Sequence, residues 1–445
     1  MSWILKRPEL KICGKNPRWF GRFLTTLNPE VISWACLTCF LKSRKETRNF
    51  GQKLTKKTMI DTIILSLPKT KILTLDLTTS GVQPWDLQAR TQVYDKFVKN
   101  PSPRDKQTGR YFPRLTGYRR KNGKLEWESS LKIEFSAPKL IYENNVDELR
   151  ENQFEAVVEA LRDRLGRMGV IITSENLKSA EVRAVHYSKN IELKNGYTSQ
   201  YVISELGKIN LNKRFDLTRA RYMNDGQSLY AYTQAHSLVI YDKVADLIRG
   251  KKRSIDKEQT TKQLNLFEPL AKREQPREIL RIEARLSQKQ KLNSLFKQLG
   301  FAKDPTFKDV FSVKISKAVL LHYWDTMVAE NSVALFAYSL TTKDLLKQVL
   351  LARKSAKGKT AIYLTGLLLL AREGSGLREL RTMLAKRTND RTWYRLVADL
   401  REVTANLSKL RPREWYDQIK REFKRYKPFR AVGKSTCPVN KSKVS

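Results

Sequence analysis

The octapeptide ILRIEARL at 279–286 alternates without a break. Successive side chains of a strand point to opposite faces. Leu280, Ile282, Ala284 and Leu286 therefore share one side, and Arg281, Glu283 and Arg285 share the other. Such a segment fits only a sheet with one face on a core and a charged second face. Two more stretches have this texture. In SLVIYDK, Val239, Tyr241 and Lys243 align opposite Leu238 and Ile240. In VRAVHYSKN, His186 lies with Val182, Ala184 and Ser188. Where these strands neighbour one another, a tyrosine, a carboxylate, an imidazole and several cations converge.

The rest of the chain is read around these strands. From Met59 the segments MIDTIILSLP and KILTLDLTTSG alternate, and 59–145 reads as strands and loops. Leu149, Phe154, Val157, Leu161, Leu165 and Met168 recur at helical spacing and predict a helix from Asp147 to Met168. Asn145 is its expected cap and Gly169 its stop. Strands are expected at Val170–Thr173, Val182–Ser188, Ser237–Val244 and Glu278–Leu286. Residues 249–277 are polar and basic and read as a loop or insertion. Strands mixed with helices predict an α+β domain over 59–295. Residues 300–430 are helical in texture, with three consecutive helices in AIYLTGLLLLAREG, GLRELRTMLA and NDRTWYRLVADLREVTANL. Gly374 and Gly376 bracket the first turn, and Asn389 or Asp390 caps the third helix. A unit of this size suits either a helix-turn-helix or a plain packing bundle. Residues 431–445 read as a loose tail. Residues 1–58 are basic and lack a sustained period, so they read as a poorly ordered extension or an independent start before Met59.

Charge narrows the function. The 445 residues include 86 Lys and Arg against 45 Asp and Glu, a formal net charge of +41. A compact fold with that excess repels itself unless a polyanion shares its field. The bases run along the whole chain, which favours an extended phosphate-tracking surface. No segment reaches the roughly 18 apolar residues of a membrane span. The longest candidate, Ala361–Ala371, reads as a buried helix. Trp3–Leu5 is followed at once by Lys6, Arg7 and Pro8, which does not read as a secretory leader. Cys36 and Cys39 form one CxxC without a second pair, short of a zinc site. Cysteine usage fits a reducing cytoplasm. With three histidines, His186, His236 and His322, the chain has no HxH or HExxH, and it carries no Walker loop or GxGxxG.

The converging residues suit DNA cutting through a covalent intermediate. A tyrosine with its usual pKa is ionised only about once in a thousand at neutral pH. A nearby cation or metal raises that fraction. A divalent metal on Glu283 and His186 would polarise the scissile phosphate, and Arg281, Arg285 and Lys243 would hold its free oxygens. The products are a phosphotyrosine and a free 3′ hydroxyl. Each residue also has an ordinary reading: a packing tyrosine, a surface ion ladder, a satisfied histidine.

Four stretches resemble the gene II/X family of phage and plasmid replication initiators, the filamentous-phage gene II type of rolling-circle endonuclease. MIDTIILSLP at 59–68 resembles the family's amino terminus, and LKIEFSAPKLIYENNV at 131–146 its acidic strand and Pro/Lys/Asn segment. HSLVIYDKVADL at 236–247 resembles the strand bearing the nicking tyrosine, and LRIEARL at 280–286 the arginine–x–glutamate–x–arginine strand. RTWYRLVADL at 391–400 extends the likeness weakly into the helical region, so that it covers about 59–410. Where some relatives have an arginine–x–aspartate strand, this chain has VRAVHYSKN, and the metal role falls on His186. Nothing in the family corresponds to 1–58.

The resemblance implies an antiparallel-sheet nicking domain of the HUH/Rep kind followed by an α-helical C-terminal domain. It implies Tyr241 as nucleophile, assisted by Lys243, with Tyr187, Tyr230 and Tyr232 as neighbouring alternatives. A divalent metal, Mg²⁺ or Mn²⁺, would be held by Glu283, His186 and Glu134. Phosphates would meet Arg281, Arg285, Lys189, Lys139, Arg391 and Arg395. The implied partners are double-stranded origin DNA, single-stranded DNA, and a host helicase and polymerase, in the bacterial cytoplasm and away from membranes. The alternatives are a mobilisation relaxase with the same chemistry and a non-enzymatic DNA-binding protein, such as a repressor or packaging factor.

Overall fold

The computed structural model describes residues 60–76, 94–101, 109–121, 123–209, 220–223, 227–248, 277–328, 336–337, 341–374, 376–384, 387–405, 411–412 and 414–431. The expected segments 1–58, 249–276 and 432–445 lie outside these residues. The strands are β1 (Ile60–Pro68), β2 (Thr74–Leu75), β3 (Tyr94–Lys99), β4 (Arg114–Lys121), β5 (Trp127–Ser136), β6 (Val170–Ile171), β7 (Glu181–Glu192), β8 (Ala220–Met223), β9 (Ser228–Tyr232), β10 (His236–Asp242), β11 (Ile279–Leu286), β12 (Phe336–Ala337) and β13 (Arg411–Pro412). Nine of them form one sheet in the order β3-β4-β5-β1-β7-β11-β10-β9-β8. Every pairing in it is antiparallel. The remaining four make two-stranded ribbons, β2 with β6 and β12 with β13.

The helices are α1 (Ala137–Tyr142), α2 (Phe154–Arg167), α3 (Ser174–Lys178), α4 (Ser199–Gly207), α5 (Lys243–Ile248), α6 (Lys289–Gln298), α7 (Phe307–Val310), α8 (Val313–Met327), α9 (Thr342–Ala352), α10 (Gly358–Arg372), α11 (Leu377–Leu384), α12 (Asp390–Ala405) and α13 (Glu414–Arg425). The mixed α and β content, the large antiparallel sheet and the helical C-terminal region follow the sequence expectation.

Alternation decides how the sheet is used. Its inner face carries Ile63, Leu65 and Leu67 of β1, Val185 and Tyr187 of β7, Leu280, Ile282, Ala284 and Leu286 of β11, and Leu238 and Ile240 of β10, all in one core cluster. Helices α2, α6 and α8 add Val157, Leu161, Leu165, Phe296 and Trp324 to that cluster. Each fully buried Val, Leu, Ile or Phe side chain among them contributes about 1.5–3 kcal/mol of transfer free energy. The opposite face keeps Ala184, Val239 and Tyr241 buried, yet outside this cluster.

Local chemistry shifts several boundaries. The helix expected from Asp147 begins as a 3-10 turn at Glu151–Gln153 and becomes α2 only at Phe154. Asp147 and Glu148 accept backbone N–H groups of Ala431, Asn190 and Phe429, so they are tied into neighbouring segments. The expected strand at Val170–Thr173 pairs over only Val170–Ile171, because Thr173 caps α3 by accepting from Asn176 N. The strand expected to reach Val244 stops at Asp242. The Asp242 carboxylate accepts from the N–H groups of Val244 and Ala245, and Lys243 becomes the first residue of α5. The three expected C-terminal helices are present as α10, α11 and α12. Gly374 and Gly376, at φ 48° and 65°, take the left-handed backbone that their turn requires.

The cores divide differently from the expected break at 295–300. Trp415, Tyr416, Ile419 and Phe423 of α13 belong to the sheet's core, as do Val319 and Leu320 of α8. A second core is confined to α9–α12, around Val349, Leu364, Leu368, Trp393, Leu396 and Leu400. Segments far apart in sequence thus close the sheet domain, and 342–405 is inserted into it.

Candidate functional site

Register assembles the site. In the β10–β11 pair, Tyr241 lies opposite Arg281, Val239 opposite Glu283 and Ser237 opposite Arg285. In the β7–β11 pair, Asn190, Ser188 and His186 face the same three residues of β11. Beyond β10, β9 places Tyr230 opposite Val239 and Tyr232 opposite Ser237. Opposed residues of an antiparallel pair share a face. The three strands singled out by alternation are therefore adjacent, and their polar sides form one surface.

Glu283 is the hub. Its Oε1 accepts from Arg285 Nε at 2.9 Å and lies 3.4 Å from His186 Nδ1. Its Oε2 accepts from the Tyr241 hydroxyl at 3.2 Å and from Arg285 at 3.3 Å. Arg281 Nε stands 3.8 Å from the same oxygen. Burial pushes the Glu283 carboxyl up, but Arg285, His186 and Arg281 outweigh it and hold the group well below the usual carboxylate range. It is an anion at any ordinary pH. Burial pushes the Tyr241 phenol well above 10; Arg281 opposes the rise and Glu283 adds to it. The nucleophile candidate is thus a protonated phenol resting on a carboxylate.

One end of this face is sealed. Arg281 bridges to Asp61 at 2.9 Å and donates to Ser188 Oγ at 2.8 Å and the Asn145 carbonyl at 2.6 Å. Asp61 is also bound by Ser136 Oγ at 3.3 Å. Glu148 accepts from Lys189 Nζ at 3.1 Å, and Asn190 donates to the Val146 carbonyl. Above them Val146, Val244, Leu247, Ile279 and Ala431 form a small apolar cluster. Lys243 is fully buried here, 3.2 Å from Asp246 and 5.6 Å from the centre of the Tyr241 ring. Burial lowers its pKa to about 8 despite Asp246. The other end is open: the side chains of Arg285 and His186 are 31% and 20% exposed. The Arg285 guanidinium lies 5.8 Å from the Tyr230 ring, which stacks on Tyr232.

The structure thus brings together Tyr241, Glu283, His186, Arg281, Arg285 and Lys243. Tyr187 lies on the opposite face, buried and donating to the Val310 carbonyl. Tyr230 and Tyr232 share the polar face and remain beside Arg285. Glu134 is half-buried on β5, opposite Ile64 of β1, which in turn faces Ala184. Two strand spacings, about 9–10 Å, separate it from the β7 residues. Lys189 is spent on Glu148. Lys139 is buried with its ammonium 5.4 Å from the Tyr111 ring. Arg391 and Arg395 are exposed on α12, on the second core.

A divalent metal fits this donor set poorly. Glu283 and His186 are the only two expected ligands that meet, and among the described residues no group of three His, Cys, Asp or Glu is placed to hold an ion. Both Glu283 oxygens already carry cationic or hydroxyl donors. An ion bound there would sit against Arg285. A divalent and a single positive charge about 4 Å apart repel by about 8 kcal/mol at an effective dielectric near 20. Of the other carboxylates nearby, Asp61 is taken by Arg281, Glu148 by Lys189 and Asp246 by Lys243.

Several residues of the site escaped sequence reasoning. Asp61 had a signal, a lone carboxylate opening an apolar strand in MIDTIILSLP. Glu148 and the Asn145 carbonyl act through contacts with β7 and β11, far away in sequence, which no local pattern records, whereas Asp246 pairs with Lys243 three residues before it on α5. Among the described residues, no helix is long and apolar enough to cross a membrane. Compared with known proteins, the chain matches no family model, no curated protein and no solved structure.

Proposed function

We propose that this protein is a rolling-circle replication initiator of the gene II type, with an HUH/Rep-like nicking sheet. In this reading it binds origin DNA and cuts one strand by transesterification at Tyr241. The 5′ end stays on the enzyme and the free 3′ hydroxyl primes synthesis. The observation that carries the reading is the contact of the Tyr241 hydroxyl with Glu283, inside a cluster of two arginines, a histidine and a lysine. A buried tyrosine packed for shape alone would not need a carboxylate under its hydroxyl and a lysine beside its ring. The net charge of +41 supports a polyanionic substrate.

The second reading is a DNA-binding protein without chemistry. It draws on the same charge and on the burial of Tyr241, whose phenol is tied into an ion ladder. One experiment separates them. The protein is incubated with supercoiled DNA bearing the region that flanks its own gene, with Mg²⁺ in the buffer. The residue left on the 5′ end is then mapped by mass spectrometry. We expect a nucleotide on Tyr241, and no nick or adduct with Tyr241→Phe while DNA binding persists. Undiminished nicking by Tyr241→Phe would remove Tyr241 as nucleophile and pass the role to Tyr230 or Tyr232.

A further inference from the structure

We infer that strand transfer at Tyr241 needs no divalent cation and that Arg285 takes the place of the metal; the inference rests on the nicking reading above. Its ground is where the positive charge sits. Metal-assisted phosphoryl chemistry needs carboxylates with free oxygens pointed at the phosphate site. Here Glu283 gives both oxygens to Arg285, Tyr241 and His186. Asp61 is taken by Arg281 and Ser136. The carboxylates are spent on holding arginines.

The two arginines are not equivalent in what they offer. Arg281 is enclosed and fixed by three partners. Arg285 keeps part of its side chain in solvent, and among the described residues it is anchored by the two oxygens of Glu283 and the Tyr230 ring. Both Arg285 and the Tyr241 hydroxyl meet Glu283. A phosphodiester that takes over the Arg285 guanidinium therefore arrives beside the phenol. A guanidinium fork matches two phosphate oxygens, and it keeps its charge at every working pH. That is the charge stabilisation a metal would otherwise supply to the pentacovalent transition state.

The step balances without a metal. The Tyr241 oxygen forms a bond to phosphorus, and the bond from phosphorus to the 3′ oxygen breaks with its electron pair. The phenolic proton is lost to water as the oxygen–phosphorus bond forms, and the departing 3′ oxygen takes a proton from water. Rejoining is the reverse, with the 3′ hydroxyl as nucleophile, and no oxidant or nucleotide is consumed.

The test is formation of the protein–DNA adduct in excess EDTA, compared with Mg²⁺, using the supercoiled DNA named above. We expect the EDTA rate to lie within about threefold of the Mg²⁺ rate. Arg285→Ala should lose about a hundredfold or more in both buffers, in line with the loss of one transition-state donor. Added guanidinium ion should restore part of that loss, which a merely misfolded variant would not show. Adduct that forms only with Mg²⁺ or Mn²⁺ would overturn the inference and leave the nicking reading standing. Full activity of Arg285→Ala in EDTA would overturn it as well. Absence of any adduct in either buffer would remove the nicking reading, and this inference with it.

Discussion

Arg281 and Arg285 stand two residues apart on one strand, face the same way and touch the same glutamate, yet they do opposite work. Arg281 is nearly inaccessible and holds β1, β7 and the Asn145 turn together through Asp61, Ser188 and a backbone carbonyl. Arg285 leans over the open part of the face, and among the described residues Glu283 alone binds it by hydrogen bonds. The lesson is that residue type and strand register place a charge, while what covers the strand decides its role. The 144–149 segment, α5 and residues 429–431 cover the Arg281 end.

Stability measurements would test that contrast most strongly. Arg281→Met leaves Asp61 buried without its cation, and removing one partner of a buried pair costs about 3–5 kcal/mol. Arg285→Met leaves Glu283 with Tyr241, His186 and Arg281 and opens it to water, so about 1–3 kcal/mol is expected. Urea unfolding of both variants reads the difference directly. Equal losses would mean that both arginines are structural, and would weaken the site at its open end.

The alternation in 279–286 was enough to place Arg281, Glu283 and Arg285 on one face, because a strand has only two sides. The face of Tyr241, and of His186 with Ala184 and Ser188, was legible for the same reason, but Val182, expected with them, turns to the inner core where the register with β1 shifts. Which strands neighbour one another was not, since antiparallel order depends on long-range packing that no local period encodes. Lys243 shows a third case. Alternation put it on the face of Tyr241, but the Asp242 carboxylate captures two backbone N–H groups and turns the chain into α5. Lys243 still reaches the Tyr241 ring, from a helix instead of a strand. The division of the cores was hidden likewise, because α13 returns to the sheet from beyond the inserted helices.

Lys243 gives the next largest effect, and it sharpens what the sealed end costs. Burial depresses its folded pKa to about 8 from an unfolded 10.5. Between those values the unfolded chain binds the extra proton, so stability rises with pH through this window. The cationic form costs up to about 3 kcal/mol below pH 8, relieved as pH approaches 10. Above 10 the buried tyrosines act in the opposite sense, since burial raises the pKa of Tyr187 and Tyr241 and folding opposes their ionisation. Lys243→Met should therefore be more stable than the parent at pH 7 and should flatten the rise between 8 and 10. Thermal unfolding across that range checks it. An unchanged slope would show that Lys243 is not the group being titrated.

The smallest effect extends the contrast between covered and open arginines to the second core. Arg391 and Arg395 are one turn apart on α12, and both are exposed beside the buried Trp393 and Leu396. Residues four apart on a helix share a face, so the two guanidiniums project together. If that face tracks the DNA backbone, each phosphate contact contributes about 0.9 to the slope of log K against log salt. Arg391→Ala with Arg395→Ala should then lower the slope by about 1.8 and weaken binding at moderate salt, leaving stability within about 0.5 kcal/mol. The rate of adduct formation at saturating DNA should not change, because neither residue belongs to the Tyr241 cluster. A salt slope equal to the parent's would take this face of α12 out of the DNA contact and favour α9–α12 as a packing bundle, the plainer of the two readings its sequence allows.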